Sequence, residues 1–186
     1  MHKISFIGGG NMALAIVGGL VASGQPATNI EVLDINPEAR SRLATSFGVR
    51  AHAVLDDLPL GDLIVLAVKP QQLPEVATAL APRLENQLVL SIAAGVRLAD
   101  LSRWLGGHAR LARAMPNTPA LVQAGISGLY AAMAVDAAGR SAAEGVLRAV
   151  GGVVWVADEA QLDAVTAVSG SGPAYVFYFI EALEEA

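Results

Sequence analysis

Short apolar runs alternate along most of the chain with longer stretches of helical composition. Residues 3–7 and 30–34 are apolar and β-compatible, and the segment 13–24 between them is long enough for a helix that ends at a glycine. Residues 62–68 are nearly all apolar, as a strand buried on both faces should be. This alternation predicts an α/β fold built on a doubly wound, mostly parallel sheet with right-handed crossovers.

The same pattern extends the sheet and then stops. Further strands are predicted at 49–51, 87–92, 109–115, 125–131 and 152–156, and further helices at 37–47, 71–84, 96–105 and 136–150. The alternation ends near residues 157–161. We therefore expect an α/β domain over 1–157 and the beginning of an all-α domain over 158–186.

The last stretch of the chain has a different character. Residues 159–168 have helical composition, and residues 169–173 predict a break, after which Ser171 caps a new helix and Pro173 occupies its first turn. The new helix, 174–183, is apolar on nearly every side, and such a helix has to be buried. Only three residues follow it. We expect a second subunit, in a homo-oligomer formed through this helix, or a missing continuation to cover it.

A glycine-rich turn joins the first strand to the first helix. Gly8, Gly10 and Ala13 have the spacing of the G-x-G-x-x-A fingerprint in its strand–turn–helix context. Gly8 permits the tight turn, Gly10 lets a diphosphate approach the backbone, and Ala13 lets the helix pack closely on the strand. The free N–H groups at the helix start favour the phosphate charge. A turn that merely needs φ > 0 is the alternative, but the context favours a Rossmann-like dinucleotide-binding fold.

The end of the second strand predicts which dinucleotide is preferred. Asp34 lies 26 residues after Gly8, near the distance expected for an acid that hydrogen-bonds a ribose 2′-hydroxyl. The same carboxylate would repel a 2′-phosphate, although Arg40 and Arg42 could offset the repulsion. Alternatively, Asp34 and Asn36 simply cap the helix that follows.

Further loops of interest lie where later strands end, at the edge where open α/β sheets bind ligands. Lys69 follows a buried strand and precedes Pro70, and it could face the nicotinamide ribose or a diphosphate; otherwise it is a solvated lysine. The small residues of 91–95 would let a planar ring pack on the backbone. Asn117 and Thr118, between two prolines, could orient a substrate or shape a turn.

Charge and composition exclude several classes of function. The net charge is −5 and no basic run is present, so we expect no nucleic-acid partner. The chain has no cysteine and its three histidines are scattered, so we expect no disulfide and no metal site. No apolar run is long enough to span a bilayer, and we expect no membrane partner and a cytoplasmic location. No nucleophile constellation identifies catalytic residues, which suits hydride transfer, because the cofactor carries that chemistry.

Five motifs in order connect the sequence with a known family. They are residues 6–13 (FIGGGNMA), 66–71 (LAVKPQ), 91–95 (SIAAG), 115–119 (MPNTP) and 168–175 (VSGSGPAY). Together they resemble pyrroline-5-carboxylate reductase along the whole chain, and the last motif is the most distinctive. The resemblance implies reduction of the cyclic imine 1-pyrroline-5-carboxylate to L-proline, the last step of proline synthesis, by hydride transfer from NADH or NADPH.

The resemblance also implies a set of site residues. The glycine turn would hold the diphosphate, Ala67, Lys69 and Ala94 would line the ribose and nicotinamide, and residues 169–175 would open a helical domain used for dimerisation and substrate binding. The expected cofactor-binding residues are Ile7, Gly8, Gly9, Gly10, Asn11, Met12, Ala13, Asp34, Asn36, Ala67, Val68, Lys69, Pro70 and Ala94. The residues expected near the substrate are Asn117, Thr118, Ser171 and Gly172.

Two departures from the family pattern change the expectation. Relatives continue with further helices and a Ser/Gly/Thr-rich loop that grips the substrate carboxylate, so we expect this chain to lack the C-terminal part of the helical domain. Many relatives place Ser or Arg after the second strand, which suits NADP, whereas this chain has Asp34 and Ile35. We therefore expect a shift towards NADH.

Two other functions fit parts of the pattern. The absence of the substrate-gripping segment suggests a cofactor-binding module without turnover, which would bind NAD(P)H and catalyse no reaction. A β-hydroxyacid dehydrogenase would share the N-terminal fold, but that chemistry needs a lysine on the first interdomain helix. No lysine occurs between residues 159 and 186.

Overall fold

The computed structural model describes residues 2–186, and these contain one eight-stranded sheet. The strands are β1 Ile4–Ile7, β2 Ile30–Leu33, β3 Arg50–His52, β4 Leu63–Leu66, β5 Leu88–Ser91, β6 Leu111–Met115, β7 Gly125–Ala131 and β8 Gly151–Trp155. Their order across the sheet is β3-β2-β1-β4-β5-β6-β7-β8. Strands β6 and β7 are antiparallel and every other neighbouring pair is parallel. The predicted doubly wound, mostly parallel sheet is confirmed.

Helices cover both faces of this sheet. They are α1 Asn11–Ala22, α2 Pro37–Phe47, α3 Leu73–Leu80, α4 Leu98–Trp104, α5 Ala137–Arg148, α6 Gln161–Val165 and α7 Gly172–Glu184. Helices α1, α2 and α5 pack with Phe6, Val32 and Leu90 on one face, and α3 and α4 pack with Ile64 and Val89 on the other. Because both faces are covered, a central strand such as β4 is buried along its whole length.

The strand order reverses beside β1, and this reversal creates the site. The chain moves outward from β1 through β2 to β3, and it then returns to place β4 on the other side of β1. The connections that leave β1 and β4 therefore diverge at the carboxyl edge of the sheet. Open α/β sheets bind ligands in the crevice at such a point.

The predicted break at 169–173 is wrong. Residues Thr166–Ser171 form a π-helical turn that joins α6 directly to α7. Ser171 has φ −96° and ψ −32°, which is helical, and its side chain makes no capping hydrogen bond. Pro173 lies in the first turn of α7, where its missing N–H is tolerated, and the wide π turn lets the helix continue through the glycines around it.

Helix α7 has no buried residue within the single chain. Its aromatic residues Tyr175, Phe177, Tyr178 and Phe179 are between 64% and 74% exposed. A contiguous apolar surface of this kind normally marks a contact with another molecule. None of the helices in residues 2–186 combines the length and the hydropathy needed to cross a lipid bilayer.

Glu144 on α5 accepts hydrogen bonds from two side chains. The Trp155 Nε1–H donates to Glu144 Oε2 at 2.8 Å, and Arg148 Nε donates to Oε1 at 2.6 Å. The hydrogen bond from Trp155 first, and then that from Arg148, lowers the pKa of Glu144 below its ordinary value of 4.5. A carboxylate whose folded pKa is lowered stabilises the fold above its unfolded pKa, and the contribution is lost as the pH falls through the folded pKa.

We therefore expect Glu144→Gln to lower the urea midpoint of unfolding at neutral pH and to have little effect at strongly acid pH. Urea titrations followed by circular dichroism across this pH range measure the difference. A destabilisation that stays constant down to strongly acid pH would show that the carboxylate charge does not contribute.

Candidate cofactor-binding site

Gly8 brings the end of β1 against the end of β4. Its φ is +103°, in a region that residues with a side chain rarely adopt. A Cβ at Gly8 would lie 2.7 Å from the carbonyl carbon of Ala67, and the Ala67 N–H donates to the Ile7 carbonyl at 2.8 Å. Glycine is thus required here both by conformation and by the close contact of two strands at the base of the crevice.

Helix α1 begins at the crevice with unfilled hydrogen-bond donors. Gly10 is its N-cap and contributes no side chain, and the Leu14 N–H donates to the Gly10 carbonyl at 2.9 Å as the first turn closes. The N–H groups that precede Leu14 in the first turn have no partner within the helix and can bind an anion. A Cβ at Gly10 would meet no other atom of the described chain within 4 Å, so the space beside it is open to a ligand.

Asp34 is held in place by two backbone donors. Its Oδ2 accepts from the Gly9 N–H at 2.6 Å, and its Oδ1 accepts from the Asn36 N–H at 2.8 Å. Asn36 is the N-cap of α2, since its side-chain oxygen accepts from the Glu38 N–H at 2.8 Å. Of the two residues, Asn36 therefore caps the amino end of α2 with its side chain, as the alternative interpretation proposed. The Asp34 side chain instead connects the glycine turn to the end of β2.

The two arginines near Asp34 differ in their freedom to bind a phosphate. Arg40 Nη1 donates to the carbonyl oxygens of Asp34 and Ile35 at 2.8 and 2.9 Å, so the Arg40 guanidinium is engaged by the backbone. Arg42 is exposed, and its Nη2 lies 3.5 Å from Asn11 Oδ1 at the start of α1. Of the two, Arg42 is therefore the less constrained.

The crevice is a cleft of about 870 Å³ at the carboxyl edge of the sheet. This volume is in the range of small-molecule and cofactor sites. Its lining includes eleven of the fourteen residues expected to bind a cofactor: Ile7, Gly8, Gly10, Asn11, Met12, Asp34, Ala67, Val68, Lys69, Pro70 and Ala94. The other three lie outside the lining. A Cβ at Gly9 would contact Leu43 of α2, Ala13 is 1% exposed in the core, and Asn36 caps α2.

The cleft also has walls that the sequence analysis did not assign. Beside Asp34 the lining contains two exposed apolar side chains, Ile35 (80% exposed) and Val54 (52% exposed). Exposed apolar side chains at a cleft suit the planar base of a nucleotide ligand. A third wall comes from α3 and the turn before it, through Gln72, Glu75, Val76 and Ala79. Their i, i+3, i+4, i+7 spacing marks one helix face and could have identified this wall. The remaining lining residues are Leu33, Ala53, Leu55, Ile92, Ala93, Met115 and Pro116.

Lys69 is the one cationic residue of the described lining. It is exposed at the end of β4, before the 3-10 turn Pro70–Gln72. The acidic lining residues are Asp34 and Glu75. The positive potential available to an anionic ligand therefore comes from the Lys69 ammonium group and from the start of α1.

The four residues expected near a substrate lie beyond the cleft lining. Asn117 Nδ2 donates to Ser169 Oγ at 2.9 Å, and its Oδ1 accepts from the Ile126 N–H at 2.9 Å. Asn117 thereby joins the loop after β6 to the π-helical turn. Thr118 opens the 3-10 turn Thr118–Val122, and Ser171 and Gly172 lie where the π turn meets α7. Ser169, the partner of Asn117, was predicted only as part of the segment 169–175, and its contact crosses 52 residues of sequence.

Known proteins match both parts of the chain. Residues 3–95 match the family described as NADP oxidoreductase coenzyme F420-dependent, and residues 159–186 match the family described as pyrroline-5-carboxylate reductase dimerisation. The pyrroline-5-carboxylate reductase of Pseudomonas aeruginosa is 49% identical to this chain, with 99% of this chain and 68% of the relative covered. The chain belongs to the pyrroline-5-carboxylate reductase family.

Solved structures of pyrroline-5-carboxylate reductases have the same fold as this chain. The structure from Coxiella burnetii has a TM-score of 0.89 and 42% identity, and covers 99% of this chain and 69% of its own. The Plasmodium falciparum pyrroline carboxylate reductase, solved with NADP bound, has a TM-score of 0.84 and 27% identity, over 98% of this chain and 67% of its own. The chain thus spans slightly more than two thirds of these relatives. The sequence resemblance is confirmed, and the β-hydroxyacid dehydrogenase interpretation is set aside.

Proposed function

We propose that this chain is an NAD(P)H-dependent reductase that converts 1-pyrroline-5-carboxylate to L-proline, the last step of proline biosynthesis. The observation that carries the proposal is membership of the pyrroline-5-carboxylate reductase family over 99% of the chain. The cleft at the carboxyl edge of the sheet supports it, because this is where Rossmann-like folds bind dinucleotides.

The residues of the cleft fit a nicotinamide dinucleotide. The open space beside Gly10 and the N–H groups of α1 suit a diphosphate. The fixed carboxylate of Asp34 suits a ribose, and Ala67 and Ala94 leave room for a planar ring. When bound, NAD(P)H supplies the hydride that adds to the imine carbon while the imine nitrogen takes a proton. The chain's own residues then need only to bind and orient the two reactants.

NADH is the preferred cofactor in this proposal. Two backbone N–H groups hold the Asp34 carboxylate at the end of β2, where the ribose 2′-hydroxyl would be bound. A 2′-phosphate at the same place would meet a fixed negative charge, and Arg40 is occupied by carbonyl groups. Arg42 is left as the nearby cation, and it faces Asn11 rather than Asp34.

The substrate side of the site lies beyond Met115 and Pro116 in this proposal. These two residues end the cleft on the β6 side, and Asn117 follows them directly. The hydrogen bond from Asn117 to Ser169 brings the π-helical turn next to that end of the cleft. Asn117, Thr118, Ser171 and Gly172 are therefore kept as residues near the substrate rather than in contact with the cofactor.

A second copy of this chain covers helix α7 in this proposal. Residues 159–186 match a dimerisation family, and the aromatic residues of α7 are mostly exposed in the single chain. Burying them would remove a large apolar area from water. We also keep the division into a dinucleotide-binding domain, 1–157, and the beginning of a helical domain, 158–186, as part of the proposal.

Lys69→Gln should weaken NADH binding about tenfold at low salt, because the substitution removes one unit charge beside a diphosphate. The loss should shrink as salt is added, since salt screens the ammonium of the parent chain. Lys3→Gln is the matched control, because Lys3 precedes the amino end of β1, whereas the cleft lies at the carboxyl end of that strand. Fluorescence titration of NADH at two salt concentrations measures both effects. Equal NADH affinities for the two variants would show that Lys69 does not contribute to cofactor binding.

Product analysis tests the proposed reaction. The chain is incubated with 1-pyrroline-5-carboxylate and NADH that carries deuterium at the transferred position of the nicotinamide. The proposal predicts L-proline with one deuterium at the carbon that was part of the imine. Proline without deuterium, or no proline although NADH binds, would overturn the proposed reaction.

A further inference from the structure

Arg113 is a buried charge within the sheet. It lies on β6, where its neighbours in register are Ser91 of β5 and Tyr130 of β7, and its side chain is 2% exposed. A buried guanidinium is costly unless carboxylates pair with it. Arg113 Nη1 donates to Glu159 Oε1 at 3.1 Å, and its Nη2 lies 3.7 Å from Asp163 Oδ1. Both partners belong to the segment that follows β8.

The same two carboxylates also bind the chain just before α4. Glu159 Oε1 accepts from the Leu98 N–H at 2.8 Å, and Asp163 Oδ2 forms an ion pair with Arg97. Two arginines and two carboxylates therefore form one cluster, which we call the charge cluster: Arg97, Arg113, Glu159 and Asp163. It joins β6, the start of α4 and the start of α6. These elements are distant in the sequence, and the pairing gives them one fixed arrangement.

Close packing lets α6 and the π-helical turn sit directly on the sheet beside the charge cluster. A Cβ at Gly128 of β7 would lie 2.9 Å from Leu162 Cδ2 and 3.0 Å from Val165 Cγ2 of α6. A Cβ at Gly170 of the π turn would lie 2.5 Å from Met115 Cε. Two small residues thus bring the helical segment onto β6 and β7, and the apolar contact with Met115 is at the end of the cleft.

The charge cluster is linked to the proposed site through a single strand. Arg113 lies two residues before Met115, which lines the cleft, and four before Asn117, which holds Ser169. We infer that Arg113 is a positioning residue: it ties the segment 159–171 to β6, and so fixes the Ser169 side of the site relative to the bound dinucleotide. The inference rests on the proposed function for what the site does, and on the geometry alone for what Arg113 holds.

Arginine suits this position for a physical reason. Its guanidinium donates from separate nitrogens in a rigid fork, so one side chain can face Glu159 and Asp163 together. A methionine of similar length would fill the space but would leave Glu159 without its buried partner.

The test compares three variants of the whole chain: Arg113→Met, the double variant Arg113→Met with Glu159→Gln, and the control Arg103→Met. Arg103 forms an exposed ion pair with Asp100 on α4 and lies outside the charge cluster. Hydrogen exchange of residues 161–171, the NADH dissociation constant, and the KM and kcat for 1-pyrroline-5-carboxylate are measured for each. The thermal midpoint of unfolding is recorded to separate stability from position.

Arg113→Met should speed amide exchange in 161–171 about tenfold or more, because the segment loses its buried charge contact with β6. The KM for the imine should rise about tenfold, with kcat and NADH affinity changed less than about threefold. The double variant should regain part of the thermal midpoint, since the half-buried Glu159 charge that faced Arg113 is also removed, yet keep the fast exchange and the high KM. Arg103→Met should resemble the parent chain in every measurement.

Unchanged exchange in Arg113→Met would overturn the inference. So would a double variant in which the KM returns together with the thermal midpoint, because that result describes a purely structural residue. If the parent chain binds NADH but does not reduce the imine, the proposed function fails, and the exchange measurement alone still decides whether Arg113 anchors the segment.

Discussion

Replacing Gly10 with alanine is expected to weaken NADH binding strongly without unfolding the chain. The added methyl group would occupy the open space beside the start of α1, where a diphosphate has to approach the backbone. We expect the NADH dissociation constant to rise at least about thirtyfold, equivalent to roughly 2 kcal/mol. The backbone at Gly10, with φ −67° and ψ −176°, is extended and accepts alanine, so the thermal midpoint should fall only by the small amount that alanine costs at a helix N-cap.

Gly145→Ala is the matched control for this prediction. Gly145 lies on α5, away from the cleft, and a Cβ there would also meet no other atom of the described chain within 4 Å. Alanine is the better helix former, so this variant should be slightly more stable and bind NADH normally. Titration calorimetry with NADH and a thermal scan of both variants give the comparison. Normal NADH affinity in the Gly10 variant would mean that the diphosphate is bound elsewhere.

Replacing Asp34 with serine is expected to reverse the cofactor preference from NADH to NADPH. The parent chain holds a negative charge where the 2′-phosphate of NADPH would lie, and two like charges about 4 Å apart repel by about 1 kcal/mol in bulk water and about 4 kcal/mol near a protein surface. Serine removes this repulsion and also removes the carboxylate that would accept the ribose hydroxyls of NADH. Together, these effects should change the ratio of the two affinities by about 100-fold.

The ratio of affinities is the appropriate measurement for Asp34. The substitution also disturbs the hydrogen bonds to Gly9 and Asn36, and this general damage weakens both cofactors alike. Glu75→Gln is the control, because it removes a negative charge from another wall of the same cleft. It should alter both affinities by a similar factor. A parent chain that already binds NADPH more tightly than NADH would contradict this role of Asp34.

The sheet could be predicted from the sequence because its signals are local. An apolar run followed by a helical stretch, as at β4 and α3, identifies a strand buried on both faces wherever it falls in the chain. The spacing of the glycines predicted the turn after β1 without any information from the rest of the chain. The antiparallel direction of β7 carried no such signal, since its seven residues look the same in either direction and only its pairing with β6 defines it.

Other features depended on contacts that no local pattern reports. Gly8 was predicted to permit a tight turn, and the structure adds that Ala67 of a distant strand leaves no space for a side chain. Around Gly170, the sequence predicted a break from the presence of glycine and proline. The helix continues through a π turn, and Met115 of the distant strand β6 packs closely against that glycine. Arg113 resembled an ordinary strand residue in the sequence, and its carboxylate partners lie 46 and 50 residues further along the chain.

The most direct test of the central claim is the initial rate of NADH and NADPH oxidation by this chain, with and without 1-pyrroline-5-carboxylate. The account predicts oxidation only when the imine is present, a faster rate with NADH than with NADPH at equal concentration, and one L-proline formed per NADH consumed. Tight NADH binding with no imine-dependent oxidation would contradict the account and would identify a cofactor-binding protein without turnover.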